Sequence, residues 1–528
     1  MISILTLKTP PYLQELIKTI DPQKISNEYV YNFGKEALRE FSLSIELENE
    51  GLPKSLHKRL PGQLPNLDTA VILSHLYTFK KIHMSGKKQD AMLSVYECET
   101  GLYRNDKDYF EQVVKLVSPQ KSVHQCKDVL SDVKTLVDYG HRTTDKHLIA
   151  VKNGVFNKKT QTLENFDAKY VFFSKLVVGY NEKAALSIIT AKDGYQWNVE
   201  DWLLELANND QEVECLFWQI IADAIQGSYS RGKAIFFYSQ SGNNGKGTLG
   251  QLIKNLLGVG NYSSLSIADF RHEFFKSQLV DATANIADEN GVDQYIDSVR
   301  DFKASITGDD IIINGKFEKP YAFQYHGANI QMLNGLPRTR DKSDSFYRRI
   351  VLVPFSKSFQ NNGERKAIKN EYIARTEVLE YVLKRALMIN FEEFIVPKVS
   401  LALMEEYKEA NNSVLEFWKE MRSVLVWDLV PRNFLYDLYK SWFYRQIPSG
   451  KVYSNRKFYE NMNEILKNDK NWKTTENAIV IKDYMDADEP LITEYDLINW
   501  QDKLYTGKSE RRLRDFKRQD RYRGFLRI

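Results

Sequence analysis

Residues 233–258 read KAIFFYSQSGNNGKGTLGQLIKNLLG. Ala234, Ile235, Phe236, Phe237 and Tyr238 form a β-branched and aromatic run that predicts a buried strand. The turn Ser241-Gly242-Asn243-Asn244-Gly245-Lys246 follows. Leu249, Leu252, Ile253, Leu256 and Leu257 then recur at helical spacing, and Gly258 stands where a helix is capped. Strand, glycine-rich turn, lysine and helix together predict a phosphate cradle. Successive backbone N–H groups and the helix N-terminus face an anion, and the lysine neutralises β- and γ-phosphate charge. A nucleoside triphosphate is therefore expected on Ser241, Gly242, Asn243, Asn244, Gly245, Lys246, Gly247 and Thr248. Two positions depart from the pattern G-x-x-x-x-G-K-[ST]: Gln240 replaces the first glycine, and Gly247 replaces the hydroxyl residue, leaving Thr248 one position late.

Three elements follow in order. Thr283-Ala284-Asn285-Ile286-Ala287-Asp288-Glu289 is a short apolar stretch ending in two acids. A carboxylate beside a phosphate loop can hold Mg²⁺, here Asp288 with Thr248, and the next acid, Glu289, can polarise the attacking water. Ala328-Asn329-Ile330-Gln331-Met332-Leu333 is a strand ending at Asn334, whose amide can orient that water or the γ-phosphate. Phe346-Tyr347-Arg348-Arg349 leads into Ile350-Val351-Leu352-Val353, and either arginine suits a finger that stabilises phosphoryl charge. Lys246 and Asp288 are 42 residues apart, Asp288 and Asn334 46, Asn334 and Arg349 15.

In this order and spacing the chain resembles the superfamily 3 DNA helicases, the AAA+ ring motors, and within them the poxvirus and phage/plasmid primase-helicase type. Asn244-Gly245-Lys246-Gly247-Thr248 matches that branch's loop, and Asp288-Glu289 its acidic motif. Thr307-Gly308-Asp309-Asp310 and Lys316-Phe317-Glu318-Lys319-Pro320 match the next segment and a basic hairpin. Asn334, Pro337 and Asp341 match its sensor motif, and Tyr347-Arg348-Arg349 its twin-arginine ending with an aromatic swap. The resemblance implies a hexameric ring with ATP and Mg²⁺ at its interfaces. Lys246, Asp288, Glu289 and Asn334 would act in one chain, and Arg348 or Arg349 would come from the next. The hairpin residues Lys316, Phe317 and Lys319 would grip one DNA strand in the channel, a cation and a ring being what a sequence-independent grip needs.

The whole chain has 528 residues, enough for three or four domains, and its 43% hydrophobic content supports packed cores. Net charge is only +3, so DNA contacts must come from local patches. Cys98, Cys126 and Cys215 lie far apart, which speaks against a zinc site or disulfide scaffold and suits a reducing cytoplasm, here a bacterial host's. No signal peptide or membrane span is expected. The expected fold is multidomain α/β: an AAA+-like P-loop ATPase core with an α+β N-terminal region and a C-terminal winged-helix-like domain. The boundaries expected are 1–88, of unclear role; 89–195, a collar preceding the motor; 196–230, a helical lead-in; 231–360, the ATPase; 361–411, a helical linker; 412–490, the winged helix; and 491–528, a basic tail. Within these, Asn153-Gly154 and Asn314-Gly315 predict hairpins, and residues 199–226 predict helix. Ser454 suits the N-cap of a third helix in the winged domain, where Arg456 and Lys457 would face phosphates. From Trp500 onward ten Lys/Arg stand against four Asp/Glu.

The function expected is an ATP-dependent, ring-forming replicative helicase of a phage or mobile element, acting on single-stranded and forked DNA, with an initiator or primase as possible partner. Two other readings stay open: a helicase-primase with primer synthesis in residues 1–180, and an initiator that uses ATP only as an assembly switch.

Overall fold

Apolar residues at helical spacing give Asn27–Asn49, Lys107–Val117 and Val123–Leu136 one buried face each, while Asn66–Leu76 is buried almost all round, from Asp68 through Leu73. These faces cover a sheet of β1 (Phe79–His83), β2 (Ala91–Glu97), β3 (Leu102–Arg104) and β4 (Tyr139–His141), ordered β3-β2-β1-β4. Strand alternation sorts its two faces. Phe79, Leu93 and Val95 enter the helical core, while Ile82, Tyr96 and Tyr103 enter a core shared with the next sheet. A break at residue 88 would separate β1 from β2, which are paired from Phe79↔Val95 to His83↔Ala91, so the expected boundary is corrected. FKKIH, with adjacent lysines, has no clean alternation to announce a strand.

The computed structural model describes residues 5, 8–21, 25–85, 91–240, 242–290, 299–314, 320–337, 344–359, 365–446, 448, 450, 452–467, 469–482, 484–485, 487–501 and 520–528. Strands β5 (Leu148–Val151), β6 (Gly154–Asn157) and β7 (Thr162–Glu164) form a meander whose first turn lies at Asn153, as expected. β8 (Ile189–Thr190) and β9 (Gln196–Trp197) form a short hairpin. The helical stretch expected over 199–226 is two helices, Val199–Leu206 and Gln211–Ala224. Asn208 and Asn209 break it with φ of 56° and 62°, and Asp210 caps the second helix. The apolar spacing runs on across the break, so periodicity alone does not reveal it.

Next come β10 (Ala234–Tyr238), β11 (Tyr262–Ser263), β12 (Ala284–Asn290), β13 (Asp310–Ile313), β14 (Tyr321–Gln324), β15 (Ala328–Leu333) and β16 (Ile350–Pro354). Five of them make one parallel sheet, ordered β11-β12-β15-β10-β16. Ile235, Phe237, Ile330 and Val351 face the helix Lys246–Leu257 on one side, and Phe236 and Leu352 face Phe270 and Phe302 on the other. Burial on both faces explains the unbroken apolar run of β10. The segment 361–411, expected as a linker, belongs to this core: Val382, Leu383 and Ala386 of Thr376–Met388 are buried with Ile235 and Phe237. β13 and β14 pair up to Ile313↔Tyr321, so their connection is 314–320, wider than a two-residue turn at Asn314-Gly315. Lys316, Phe317 and Lys319 lie outside the described residues.

The C-terminal core joins helices Ser413–Met421, Arg432–Gln446 and Asn455–Lys467 to β17 (Leu429–Pro431), β18 (Trp472–Thr474) and β21 (Gly524–Arg527), while β19 (Ile479–Val480) and β20 (Arg521–Tyr522) pair as a separate two-stranded sheet. Ser454 caps the third helix, its Oγ accepting from Lys457 N at 3.4 Å. The stretch 491–528 is not a separate tail in its described parts. Leu491, Ile492 and Trp500 pack into this core, and β21 is the central strand of β17-β21-β18. Arginines alternating with Tyr522 and Phe525 disguised that strand as a basic tail. Most of the basic cluster lies outside the described residues.

Candidate nucleotide-binding site

Parallel strands bring their C-terminal ends to one edge, and the segments leaving β10, β12 and β15 converge there. The loop after β10 alternates in handedness: Asn243 has φ 54° and Gly245 φ 85°. Such a turn aims successive N–H groups into one concavity. Gly245 has no substitute, because a Cβ there would meet Leu206 Cδ2 at 2.3 Å and the φ is left-handed. Phe359 N donates to Asn243 O at 2.9 Å and holds the loop from outside.

Lys246 begins the following helix and is 7% exposed. Its Nζ donates to Asn334 Oδ1 at 2.9 Å and to Ser239 O at 3.3 Å. Burial lowers its pKa to about 8, and Asp288 pulls the other way. Among the described side chains no carboxylate pairs with it directly, so its charge is held over the loop and open to an anion. Asp288 stands exposed at the end of β12, where a register shift between Ala287 and Asn290 re-aims the strand. Glu289 follows it on β12. A cleft of about 880 Å³ opens over these groups, lined also by Thr248 and, from distant segments, by Tyr195, Trp202, Phe359, Arg365 and Lys369. The fit to a triphosphate is good: a buried cation, a helix N-terminus and a concave N–H row share one cavity. Asp288 and Thr248 would hold Mg²⁺; Gly247 carries no hydroxyl for it.

Lys246, Asp288, Asn334 and the loop residues from Gly242 to Thr248 are thus brought together, while Ser241 lies outside the described residues. Arg348 and Arg349 are not in this cleft. They precede β16, whose first residue Ile350 pairs with Ala234, the first of β10. They therefore sit at the opposite edge of the sheet, a five-residue strand or roughly 16 Å away. Arg348 is exposed; Arg349 donates from a guanidinium nitrogen to Ser345 O. Arg456 and Lys457 lie on the third C-terminal helix and both pair with Glu460, at 3.1 and 3.5 Å, with the Arg456 side chain 91% exposed. The cleft-wall residues Tyr195, Phe359, Arg365 and Lys369 belong to no sequence motif and were not anticipated.

Two family models flank the loop and its sheet. Residues 75–226 match one described as D5 N terminal like, and residues 409–495 match one described as Poxvirus D5 protein-like. The chain thus carries an N-terminal and a C-terminal segment similar to those of the D5-type proteins. Between these two segments, residues 237–349 match a family of unknown function (DUF5906), spanning Lys246, Asp288, Asn334 and Arg349. Among solved structures, the A form apo structure of the NrS-1 C terminal region is similar at 15% identity, over 70% of this chain and 80% of that one, with a TM-score of 0.39. A further apo structure of the same region is 14% identical over 80% of this chain and 97% of that one, with a TM-score of 0.41. No curated protein matches. Among the described residues no helix is long and apolar enough to cross a membrane.

Proposed function

We infer that this protein is an ATP-driven, ring-forming replicative DNA helicase of the superfamily 3 AAA+ class, which moves along one strand of a fork. The observation that carries the reading is Lys246: buried beneath a left-handed glycine turn, bonded to Asn334 and facing Asp288. In this reading the loop N–H groups and Lys246 bind the β- and γ-phosphates of ATP and orient them in line with water held by Asn334. Glu289 takes the proton from that water. Mg²⁺, when bound at Asp288 and Thr248, supplies charge neutralisation between the phosphates.

The opposite-edge position of Arg348 and Arg349 supports their action on the ATP of a neighbouring chain. Each site would then be completed only in a ring, with hexameric assembly the reading taken here. Mixing Lys246→Ala with Arg348→Ala protein, and separately with Arg349→Ala protein, tests this. Turnover should reappear in the mixture for the finger residue, since some interfaces then carry both intact groups. Mixtures that stay as dead as their components would remove the shared-site assignment.

The decisive assay is strand displacement on a forked duplex with ATP and Mg²⁺, wild type against Lys246→Ala. Unwinding lost in the variant supports the motor. ATP binding with negligible turnover in the wild type would favour the assembly-switch reading, which the absent hydroxyl at Gly247 also fits. Primer synthesis in residues 1–180 is a separate reading, tested by template-directed nucleotide incorporation.

A further inference from the structure

Two segments far from the glycine loop in sequence form the outer wall of the cleft. One is the turn of the β8–β9 hairpin, which carries Asp193 and Tyr195. The other is the helix Lys366–Asn370 with Arg365 before it. Arg365 sits over Tyr195, its guanidinium carbon 3.8 Å from the ring centroid, and Asp193 pins it at 2.8 Å. Tyr195 N donates to Asp193 Oδ1 at 3.2 Å, which ties the ring and the pin to one turn. On the same wall, Lys369 Nζ lies 3.7 Å from where a Cβ on Gly247 would stand, so its ammonium hangs over the first turn of the loop helix. The segment is anchored to that helix, because Asn255 Nδ2 donates to Ile373 O at 3.1 Å. Among the described residues no carboxylate pairs with Lys369, although ion pairs occupy Arg365 and Arg375 nearby.

We propose that this wall reads the nucleotide in the same chain as Lys246: Lys369 is a second cation for the terminal phosphates, and the Tyr195–Arg365 stack is the platform for the base. This rests on the cleft being a nucleoside triphosphate site, as proposed above. The chemistry fits each half. An exposed ammonium opposite a buried one brackets a polyanion, and a clamped aromatic ring offers a stacking surface of nucleobase size.

The test is calorimetric titration of ATP, ADP and inorganic tripolyphosphate, each with Mg²⁺, into the intact chain and its variants. Lys369→Ala should weaken ATP by about tenfold and ADP by less, narrowing their ratio, and Lys369→Arg should restore it. Tyr195→Ala should weaken ATP and ADP alike by about tenfold while leaving tripolyphosphate unchanged, and Tyr195→Phe should bind as wild type. An unchanged ATP-to-ADP ratio in Lys369→Ala, or equal losses for tripolyphosphate and ATP in Tyr195→Ala, overturns the proposal and leaves the site standing. A wild-type chain that binds no ATP removes the nucleotide reading and this wall with it.

Discussion

A lysine held by burial near pKa 8 is a charge the fold keeps at a disadvantage. Folded Lys246 binds fewer protons than the unfolded chain between about pH 8 and the ordinary lysine range near 10.5. The penalty on the folded state is therefore fully present below pH 8 and is relieved as pH rises through that window. A phosphate anion reverses the balance, because it stabilises the ammonium that the protein alone does not. ATP binding should thus take up protons around pH 8 to 9, and affinity should fall as pH rises further. Calorimetry at pH 8.5 in two buffers of different ionisation enthalpy measures that uptake directly. Lys246→Met should abolish it, and an uptake that survives in Lys246→Met would place the titrating group elsewhere.

The loop as an element depends on Gly245 more than on any side chain it carries. Gly245→Ala would force a Cβ into Leu206 and hold alanine at φ 85°. The left-handed backbone alone costs about 1–2 kcal/mol, and relief by shifting the helix Val199–Leu206 would move the N–H row off the phosphates. The expected outcome is a lower melting temperature together with loss of ATP binding, whereas Gly242→Ala, which meets nothing within 4 Å, should keep its stability. Elements whose chemistry lies in one contiguous stretch were legible in the sequence. β10, the glycine turn and the loop helix are one such unit, and the acidic end of β12 and Asn334 after β15 are others. Their pairing order came only with the structure, since β12 and β15 lie side by side although 37 residues separate them in sequence. What stayed hidden were elements defined by distant partners. FKKIH is a strand because β2 and β4 flank it, residues 376–388 are core because the sheet lies beneath them, and Tyr195 and Lys369 reach the loop's cleft from segments before and after it in sequence.

At the scale of the whole molecule the buried chemistry falls into separate cores, and that separation has a consequence. The two cores that flank the five-stranded sheet together run from Ile82 to Tyr407, with Tyr407 OH donating to Pro337 O at 2.7 Å. The C-terminal core begins at Val414 and closes on Phe525. Its sheet is completed by β21, which supplies backbone hydrogen bonds to β17 on one side and to β18 on the other. Phe525 is fully buried among the three helices. Deleting residues 521–528 removes the central strand and strips both neighbours of their partners. Losing one buried phenylalanine costs about 3–5 kcal/mol, and the unpaired backbone adds to it. A small core has no reserve for that loss. The truncated chain should therefore lose order beyond residue 412 while the sheet core stays folded. Limited trypsin digestion should clip it past Lys408 and leave the preceding body resistant, with ATP binding retained and DNA affinity reduced. If ATP binding disappears together with the C-terminal order, the two cores fold as one unit, and the C-terminal domain is then part of the motor itself and not an appended DNA-contacting module.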